Sequence, residues 1–287
     1  MFPLEDYWSE IDFIIANALR EDIGSGDHSS LACIPADAFG AAKLLVKEDA
    51  VIAGVAFAER VLKKVDPESQ LEIFIHDGNA VKVGDVVFKV KARSRSILKA
   101  ERLLLNAMQR MSAIATKTAR FTEVLKGTKT KVLDTRKTTP GIRALEKWAV
   151  DIGGGVNHRF GLYDMIMLKD NHIDFCGGIS SAIQQTQQYL QEHSLNLKIV
   201  VEARNMAEIK EILSNEGVYR ILIDNFSPEA TYEAVQLIGH RCLTESSGGI
   251  TLENARAYAE AGVDFISSGA LTHSVSNVDL SLKAIFE

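Results

Sequence analysis

A unit made of a short apolar strand, a polar loop and a helix recurs through the last two thirds of the chain. Six strands are predicted, with the sequences KVLDT, MIMLKD, LKIVVEA, RILIDN, CLTESS and FISSGA. The helices predicted between them include residues 206–214, 228–238 and 251–261. Strands that alternate with helices form parallel sheets. Six such units predict a closed or nearly closed α/β barrel, with a doubly wound sheet as the structural alternative.

The first third of the chain has a different pattern. Residues 7–20 have the periodicity of an amphipathic helix, and residues 41–53 are apolar and strand-like. Residues 71–92 alternate between apolar and polar side chains and contain turn residues, which predicts antiparallel strands. A long helix is predicted from Ile97 to about Lys126. The chain is therefore of the α/β class, with antiparallel strands before the long helix and parallel strands after it.

The composition disfavours several classes of protein. Of the 287 residues, 46% are hydrophobic and 24% are charged, as in ordinary globular proteins. No apolar run approaches the ~18 residues of a membrane span, and the first residues lack the pattern of a signal peptide. Three scattered cysteines without a CxxC motif fit a reducing compartment, so we expect a cytoplasmic protein. The net charge of −6 disfavours nucleic acid as a partner.

Charged and small polar residues follow every predicted parallel strand. In chain order they are Asp134, Thr135, Arg136 and Lys137; Lys169, Asp170, Asn171 and His172; Glu202 and Arg204; Asp224 and Asn225; Glu245, Ser246, Ser247, Gly248 and Gly249; and Ser268 and Gly269. In parallel α/β folds the carboxyl ends of the strands meet at one edge, where ligands bind. A single residue of this kind would be an ordinary surface charge, but six strands together predict a ligand site.

The last two of these loops have the composition of phosphate-binding loops. Residues 246–249 (SSGG) run into a helix predicted to start near Thr251, and Ser268-Gly269-Ala270 follows the next strand. Small residues let backbone N–H groups approach an anion, and the N-terminus of a helix adds a positive dipole. These loops therefore predict a phosphate site, with plain tight turns as the alternative.

Positive charge is also predicted at this edge, although the whole chain is acidic. It comes from Arg136, Lys137, His158, Arg159 and Lys169. On the long helix, Arg102, Asn106 and Gln109 share one face, which predicts either a wall of the site or a solvent-exposed stripe. The contrast with the acidic chain predicts a substrate that carries several negative groups.

Two carboxylates, Glu202 and Asp224, lie at the ends of neighbouring predicted strands, beside these cations. A carboxylate pair next to phosphate suits magnesium, which is typically held by one or two carboxylates and by substrate phosphates. The pair would also suit ribose hydroxyl groups, or the stabilisation of positive charge that develops on a sugar. The spacing of His172 and His273 marks neither a catalytic dyad nor a zinc site.

Several segments together resemble the quinolinate phosphoribosyltransferase family, also called nicotinate-nucleotide pyrophosphorylase (carboxylating). They are EDIGSGD (21–27), AERLLLNAMQRMSAIAT (100–116), DTRKTTPGIRALEKWAV (134–150), GGGVNHRFGLYDMIMLKDNH (153–172), VEA (201–203), LIDN (222–225), ESSGGI (245–250) and SGALTHS (268–274). They span nearly the whole chain in the family's order, and DTRKTTPG with NHR and KDNH is a highly specific combination. The departures are Ala113, where the family often has glycine, and His28, where an apolar residue is usual.

This resemblance implies an N-terminal α/β sandwich domain over residues 1–110, which includes the start of the long helix, and a C-terminal α/β barrel with phosphate-binding loops over residues 111–287. It implies phosphoribosyl transfer from phosphoribosyl pyrophosphate to quinolinate with decarboxylation. The products would be nicotinate mononucleotide, carbon dioxide and pyrophosphate, in de novo NAD biosynthesis with Mg²⁺ as cofactor. It also implies a homodimer or a hexamer of dimers.

The resemblance further implies roles for individual residues. Quinolinate would be bound by Thr135, Arg136, His158, Arg159 and Lys169, and by Arg102 of the neighbouring subunit. Phosphoribosyl pyrophosphate would be bound by Lys137, Glu202, Asp224, Ser246, Ser247, Gly248, Ser268, Gly269 and His273. Of these, Lys137, Glu202 and Asp224 would be catalytic, and the two carboxylates would hold the metal, directly or through water.

Three other functions are compatible with the same residues. The first is a Schiff-base lyase with Lys137 or Lys169 as nucleophile, since a cationic neighbour such as Arg136 lowers the pKa of a lysine. The second is a non-catalytic sensor of a phosphate ligand on a barrel scaffold. The third is a paralogue that acts on another aromatic acid, such as those associated with molybdenum transport genes. Borohydride trapping with a carbonyl substrate would identify the lyase, and tight ligand binding without turnover would identify the sensor. An assay that compares quinolinate with nicotinate would test the choice of aromatic acid.

Overall fold

A four-stranded antiparallel sheet and a six-stranded parallel sheet contain most strands of the computed structural model, which describes residues 3–285. The chain divides into two compact units. The first unit takes its described residues from Met1–Ala119, Thr138–Gly154 and Leu271–Glu287, and the second consists of Arg120–Lys137 and Gly155–Ala270.

The helices and strands are as follows. The helices are a 3₁₀ helix Leu4–Tyr7, α1 Trp8–Ile23, α2 His28–Cys33, α3 Val55–Val65, α4 Ser94–Val124, α5 Arg143–Ile152, α6 Asp170–Cys176, α7 Ile179–Glu192, α8 Met206–Leu213, α9 Pro228–Ile238, α10 Ala255–Glu260 and α11 Ala270–His273. The strands are β1 Phe39–Val46, β2 Ala50–Val51, β3 Gln70–Ile73, β4 Ala80–Val81, β5 Val86–Arg93, β6 Lys131–Leu133, β7 Ile166–Leu168, β8 Ile199–Ala203, β9 Arg220–Asp224, β10 Leu243–Ser247, β11 Phe265–Ser267 and β12 Leu280–Ile285. No helix within residues 3–285 has both the length and the apolar character needed to cross a bilayer.

The antiparallel sheet of the first unit has the strand order β12-β1-β5-β3. At its centre Leu44 of β1 is in register with Leu282 of β12 on one side and with Phe88 of β5 on the other, and all three side chains are buried. The strand β12 lies within the range 111–287 that the resemblance assigns to the barrel, but it pairs with β1 of this sheet. The physical reason is the alternation of β12, in which Leu280 and Leu282 are buried and the residues after them are more exposed.

The parallel sheet of the second unit has the order β6-β11-β10-β9-β8-β7. Each strand from β7 to β10 pairs with the next in sequence, and the first strand of the sheet, β6, pairs with the last, β11. This cyclic order is that of a barrel with one open seam, between β6 and β7, and it excludes the doubly wound alternative. All five residues of β8 and the first four of β9 are buried, as expected for parallel strands whose two faces are covered. The predicted α/β barrel is therefore confirmed, in its nearly closed form.

One predicted helix is shorter than the sequence suggests. Residues 251–261 were expected to be helical, but α10 begins only at Ala255. The side chain of Asn254 closes a turn before the helix, because its Oδ1 accepts from the Thr251 backbone N–H at 2.8 Å and its Nδ2 donates to the Gly249 carbonyl at 2.9 Å. The loop after β10 therefore runs into a turn and not directly into a helix.

Candidate active site

A cavity of about 240 Å³ lies at the carboxyl ends of the parallel strands. Its basic side chains are Arg136, Lys137, His158, Arg159 and Lys169. The remaining walls are formed by Thr135, Met167, Leu222, Glu245, Ser247 and Ser267. These residues come from β7, β9, β10 and β11, from the segments that directly follow β6 and β7, and from the loop between α5 and β7. The strands thus converge on one site, and the predicted quinolinate residues within the barrel lie together in it.

A buried aspartate fixes the loop that carries His158 and Arg159. Asp134 directly follows β6 and is fully buried. Its Oδ1 accepts from the His158 backbone N–H at 2.7 Å, and its Oδ2 accepts from Asn157 Nδ2 at 2.6 Å. The preceding residue of the loop, Val156, forms a parallel bridge to Leu133 of β6. The loop therefore continues the sheet beyond β6.

The side chain of Arg159 is desolvated inside the cavity wall. Arg159 is 8% exposed, and one guanidinium nitrogen donates to the Met165 carbonyl at 3.2 Å. Burial, together with the positive charge of Arg136, lowers the pKa of the Arg159 guanidinium from its ordinary value. A buried guanidinium group beside a second positive charge is stabilised by an anion that lies near both.

Lys169 lies at the junction between β7 and α6. Its backbone N–H donates to His172 Nδ1 at 3.1 Å, so His172 caps the short helix α6. The Lys169 Nζ lies 3.8 Å from Glu202 Oε2, and its side chain is half exposed. Lys169 therefore links the basic cavity to the carboxylates at the ends of β8 and β9.

Those carboxylates, Glu202 and Asp224, form an electrostatically strained pair. Burial raises the pKa of both groups above their ordinary values, and although Lys169 opposes this, the negative charge of Asp224 raises the pKa of Glu202 further. A cation placed between them would relieve this cost. In residues 3–285 no cluster of three or more His, Cys, Asp or Glu residues could hold a metal ion. The protein donors at this position are thus limited to two carboxylates, a set that suits magnesium when substrate phosphates supply the other ligands.

The loop after β10 is tightly packed against the loop after β9. Gly248 has a φ of +96°, and a Cβ at this position would lie 2.1 Å from Asn225 Oδ1. The Asn225 backbone N–H donates to the Ser247 carbonyl at 2.9 Å, and its own φ is +58°. Gly248 is therefore required for both its conformation and its lack of a side chain.

The predicted phosphate-side serines lie in different environments. Ser247 lines the cavity. The Ser246 side chain is completely buried, and its Oγ has no hydrogen-bond partner among the described protein atoms. Ser268 donates from its Oγ to the Ile250 carbonyl at 2.9 Å, which ties together the loops after β10 and β11, and Gly269 follows it directly. A ligand would meet the backbone of these loops and the Ser247 side chain.

Two further predicted site residues, Arg102 and His273, belong to the first unit. Arg102 is exposed on α4. His273 ends α11, and its Nδ1 lies 2.6 Å from Ser274 Oγ. On the predicted polar stripe of α4, Gln109 donates to the Leu280 carbonyl at 3.0 Å and so helps to hold β12. Gln109 therefore has a structural contact within the first unit.

One buried charge pair beside the cavity was not predicted from the sequence, although Glu245 was named among the strand-end residues. Glu245, in the middle of β10, is 1% exposed and accepts a hydrogen bond of 2.6 Å from Arg220 at the start of β9. The strand alternation could have revealed this pair, because Arg220, Leu222 and Glu245 fall on the inner face of adjacent strands in register.

Comparisons with known proteins identify the family. The sequence model described as quinolinate phosphoribosyl transferase, N-terminal domain, matches residues 27–112, and the model of the C-terminal domain matches residues 114–283. The Nicotiana tabacum protein named quinolinate phosphoribosyltransferase (decarboxylating) 1b is 44% identical over 285 residues, which cover 94% of this chain and 81% of the relative. The crystal structure of NadC from Streptococcus pyogenes has a TM-score of 0.90 and 37% identity, and covers 100% of this chain and 99% of its own. The structure of the nicotinate-nucleotide pyrophosphorylase from Francisella tularensis has a TM-score of 0.89 and 35% identity over 96% of both chains. With both domains matched in order and the fold shared throughout, the chain belongs to the quinolinate phosphoribosyltransferase family.

Proposed function

We propose that this chain transfers the phosphoribosyl group of phosphoribosyl pyrophosphate to quinolinate with decarboxylation. The products are nicotinate mononucleotide, carbon dioxide and pyrophosphate, and the reaction belongs to de novo NAD biosynthesis. The observation that carries the proposal is the concentration of Arg136, Lys137, Arg159 and Lys169 around one cavity, in a chain whose net charge is −6. Both substrates carry several negative charges, which such a cavity attracts and holds.

Quinolinate occupies the part of the cavity between Arg136, Arg159 and Lys169, which bind its two carboxylates. Thr135 and His158 lie beside them in the same wall. Arg159 is suited to this role because it is largely desolvated, so that a carboxylate near it replaces lost water contacts. Arg102 of the neighbouring subunit completes the carboxylate contacts in this proposal.

Phosphoribosyl pyrophosphate occupies the side of the loops after β10 and β11. Its phosphate groups contact Lys137, Ser247 and the backbone of Ser246, Gly248, Ser268 and Gly269, together with His273. The support for this is that Ser247 lines the cavity and that the residue after it, Gly248, carries no side chain, since small residues let backbone N–H groups approach an anion. Glu202 and Asp224 face the ribose and its pyrophosphate.

The residues present fit a magnesium ion. Glu202 and Asp224 are hard oxygen donors, and the burial that raises the pKa of both groups supports a cation near them. A bound Mg²⁺ would supply positive charge to the pyrophosphate group as a leaving group. We propose that these two carboxylates hold it, directly or through water.

The chain's own groups act on both halves of the reaction. As pyrophosphate leaves, positive charge develops on the ribose, and the carboxylates of Glu202 and Asp224 stabilise it. Lys137 neutralises the departing phosphate charge. The arginines and Lys169 orient the quinolinate ring so that its nitrogen meets the ribose carbon. Loss of carbon dioxide then breaks the bond between the ring carbon C2 and its carboxylate. The electron pair stays on C2, where the adjacent positively charged nitrogen stabilises it, and a proton from water completes the product.

A substrate comparison tests this function. We expect turnover with quinolinate, phosphoribosyl pyrophosphate and magnesium, measured as the release of carbon dioxide and pyrophosphate. We expect negligible turnover with nicotinate, which lacks the second carboxylate. Equal rates with nicotinate would contradict the dicarboxylate assignment, and trapping of a Lys137 or Lys169 adduct by borohydride would favour the Schiff-base lyase.

We also propose a homodimer, alone or within a hexamer of dimers, and a cytoplasmic location. The support for the location is that Cys33, Cys176 and Cys242 are all free thiols, as in a reducing compartment. The names of some plant relatives instead place those proteins in the chloroplast or the mitochondrion. Fractionation of the source cells, with immunodetection of the chain, tests the location.

A further inference from the structure

An ion pair lies inside the barrel, next to the cavity. The Arg220 guanidinium donates to Glu245 Oε2 at 2.6 Å, and the two residues are 5% and 1% exposed. The guanidinium carbon lies 4.3 Å from the centroid of the Phe265 ring. Burying both charges is expensive, and an apolar pair of similar volume is often as stable or more stable. Stability alone therefore gives a weak reason for this pair in a barrel core.

A third side chain completes the arrangement. His158 Nε2 lies 3.3 Å from the same Glu245 oxygen. On the other side of the ring, His158 Nδ1 accepts from the Arg159 backbone N–H at 2.6 Å. A ring nitrogen that accepts a hydrogen bond carries no proton, so the proton of a neutral His158 lies on Nε2, facing the carboxylate.

The charge of Glu245 supports this orientation. Burial acts to raise the pKa of Glu245, but the hydrogen bonds and charges of His158 and Arg220 outweigh it and hold that pKa below its ordinary value. Glu245 is thus an anion that accepts a hydrogen bond from Arg220 and lies 3.3 Å from His158 Nε2. Its other oxygen, Oε1, is buried without a hydrogen-bond partner among the described protein atoms.

We infer that Glu245, neutralised by Arg220, is a positioning residue that fixes the tautomer of His158 and through it the placement of Arg159. The inference rests on the proposed function, because Arg159 is there a ligand of quinolinate. His158 acts through its contact with the Arg159 backbone. Arg220 has a separate role: it cancels the negative charge of a carboxylate that would otherwise repel a dianionic substrate from the cavity.

The test compares Glu245→Gln with the double variant Arg220→Met/Glu245→Gln. The single variant leaves the Arg220 charge buried without its partner and can fail to fold. The double variant removes both charges at similar volume and is expected to fold, with a Tm close to that of the wild type. Glu260→Gln, which breaks an exposed ion pair with Arg256, is the matched control.

Two readouts separate positioning from a structural role. In ¹⁵N-histidine NMR spectra, His158, assigned by its absence in His158→Asn, is expected in the Nε2–H form in the wild type and as a mixture of tautomers in the double variant. The KM for quinolinate is expected to rise by about tenfold or more in the double variant, which corresponds to about 1.4 kcal/mol of lost binding. The KM for phosphoribosyl pyrophosphate should stay within about threefold.

Several results would overturn the inference. A wild-type His158 in the Nδ1–H form contradicts it outright. So does a double variant with unchanged tautomer and unchanged KM for quinolinate, or one that unfolds, since each makes the pair purely structural. The NMR measurement needs no substrate, so it determines the tautomer of His158 whatever the activity. Absence of quinolinate turnover in the wild type would contradict the proposed function alone.

Discussion

At the scale of single residues, the two anionic substrates are expected to depend on different cations. Arg159→Ala and Lys169→Ala should raise the KM for quinolinate by ~10- to 150-fold, because a charge-assisted contact is worth ~1.5–3 kcal/mol. Lys137→Ala should instead raise the KM for phosphoribosyl pyrophosphate. Steady-state kinetics with each substrate varied separately measures both effects, with Lys210→Ala on the exposed face of α8 as control. If Lys137→Ala raised only the KM for quinolinate, the proposed assignment of cations to the two substrates would be reversed.

A second residue-scale prediction follows from the raised pKa of Glu202. Because burial and the charge of Asp224 raise this pKa in the folded protein, the folded state holds the proton more tightly than the unfolded state. The stability that this group contributes is therefore greatest at low pH and is lost as pH rises through its folded pKa. Glu202→Gln should abolish most activity and yet raise the Tm at pH 8.

The higher Tm of Glu202→Gln should disappear near pH 4, where the Glu202 carboxyl group of the wild type is itself protonated. Thermal unfolding followed by fluorescence at both pH values checks this, with the exposed Glu233→Gln as the matched carboxylate-to-amide control. A lower Tm for Glu202→Gln at pH 8 would show that its contact with Lys169 outweighs the cost of burial.

At the scale of elements, the loop after β10 should tolerate no side chain at Gly248. Gly248→Ala combines a positive φ with a Cβ only 2.1 Å from Asn225 Oδ1, and strain of this kind costs about 1–3 kcal/mol. We expect a lower Tm and a higher KM for phosphoribosyl pyrophosphate. Gly249→Ala is the matched control, because its φ is +58° and its Cβ would meet nothing within 4 Å. Equal effects of the two substitutions would mean that the packing against Asn225 is unimportant.

The elements also show what the sequence could and could not predict. Strands β8 and β9 were predictable because parallel strands in a barrel are continuous apolar runs. The helix α5 was not predicted, and it buries Glu146 and Lys147, which in the sequence resemble a solvent-exposed face. The strand-end cations were predictable from topology alone. The Arg220–Glu245 pair was not predicted, although the strand alternation places both residues on the inner face, because charges are expected at the surface and not inside a barrel.

At the scale of the whole molecule, we expect each active site to be shared between two subunits. At substrate concentrations far below their raised KM values, Arg102→Ala and Lys137→Ala should each be nearly inactive, because each has lost a proposed substrate contact. When the two inactive variants exchange subunits, one site of each mixed dimer carries both lesions and the other carries none. With half of the dimers mixed, about a quarter of the wild-type activity should return.

Activity assays after subunit exchange, with exchange itself confirmed by differently tagged chains, provide the measurement. If both residues served the same subunit's site, every site would carry one lesion and no activity would return. Mixing Lys137→Ala with Lys169→Ala, two lesions in one barrel, is the control that should stay inactive.

The pairing of β12 with β1 also bears on how the protein is made. These strands are separated by more than two hundred residues, so the ribosome synthesises β1 long before its partner exists. Until then one side of β1 has unpaired amide and carbonyl groups, which can capture other extended chains. Loop closure over such a distance is also slow. All the parallel strands are synthesised between β1 and β12. The barrel can therefore form on the nascent chain before the last strand of the antiparallel sheet has been made. A newly made chain is therefore most vulnerable to aggregation at its earliest strand, and a chaperone that shields this edge would assist its folding most.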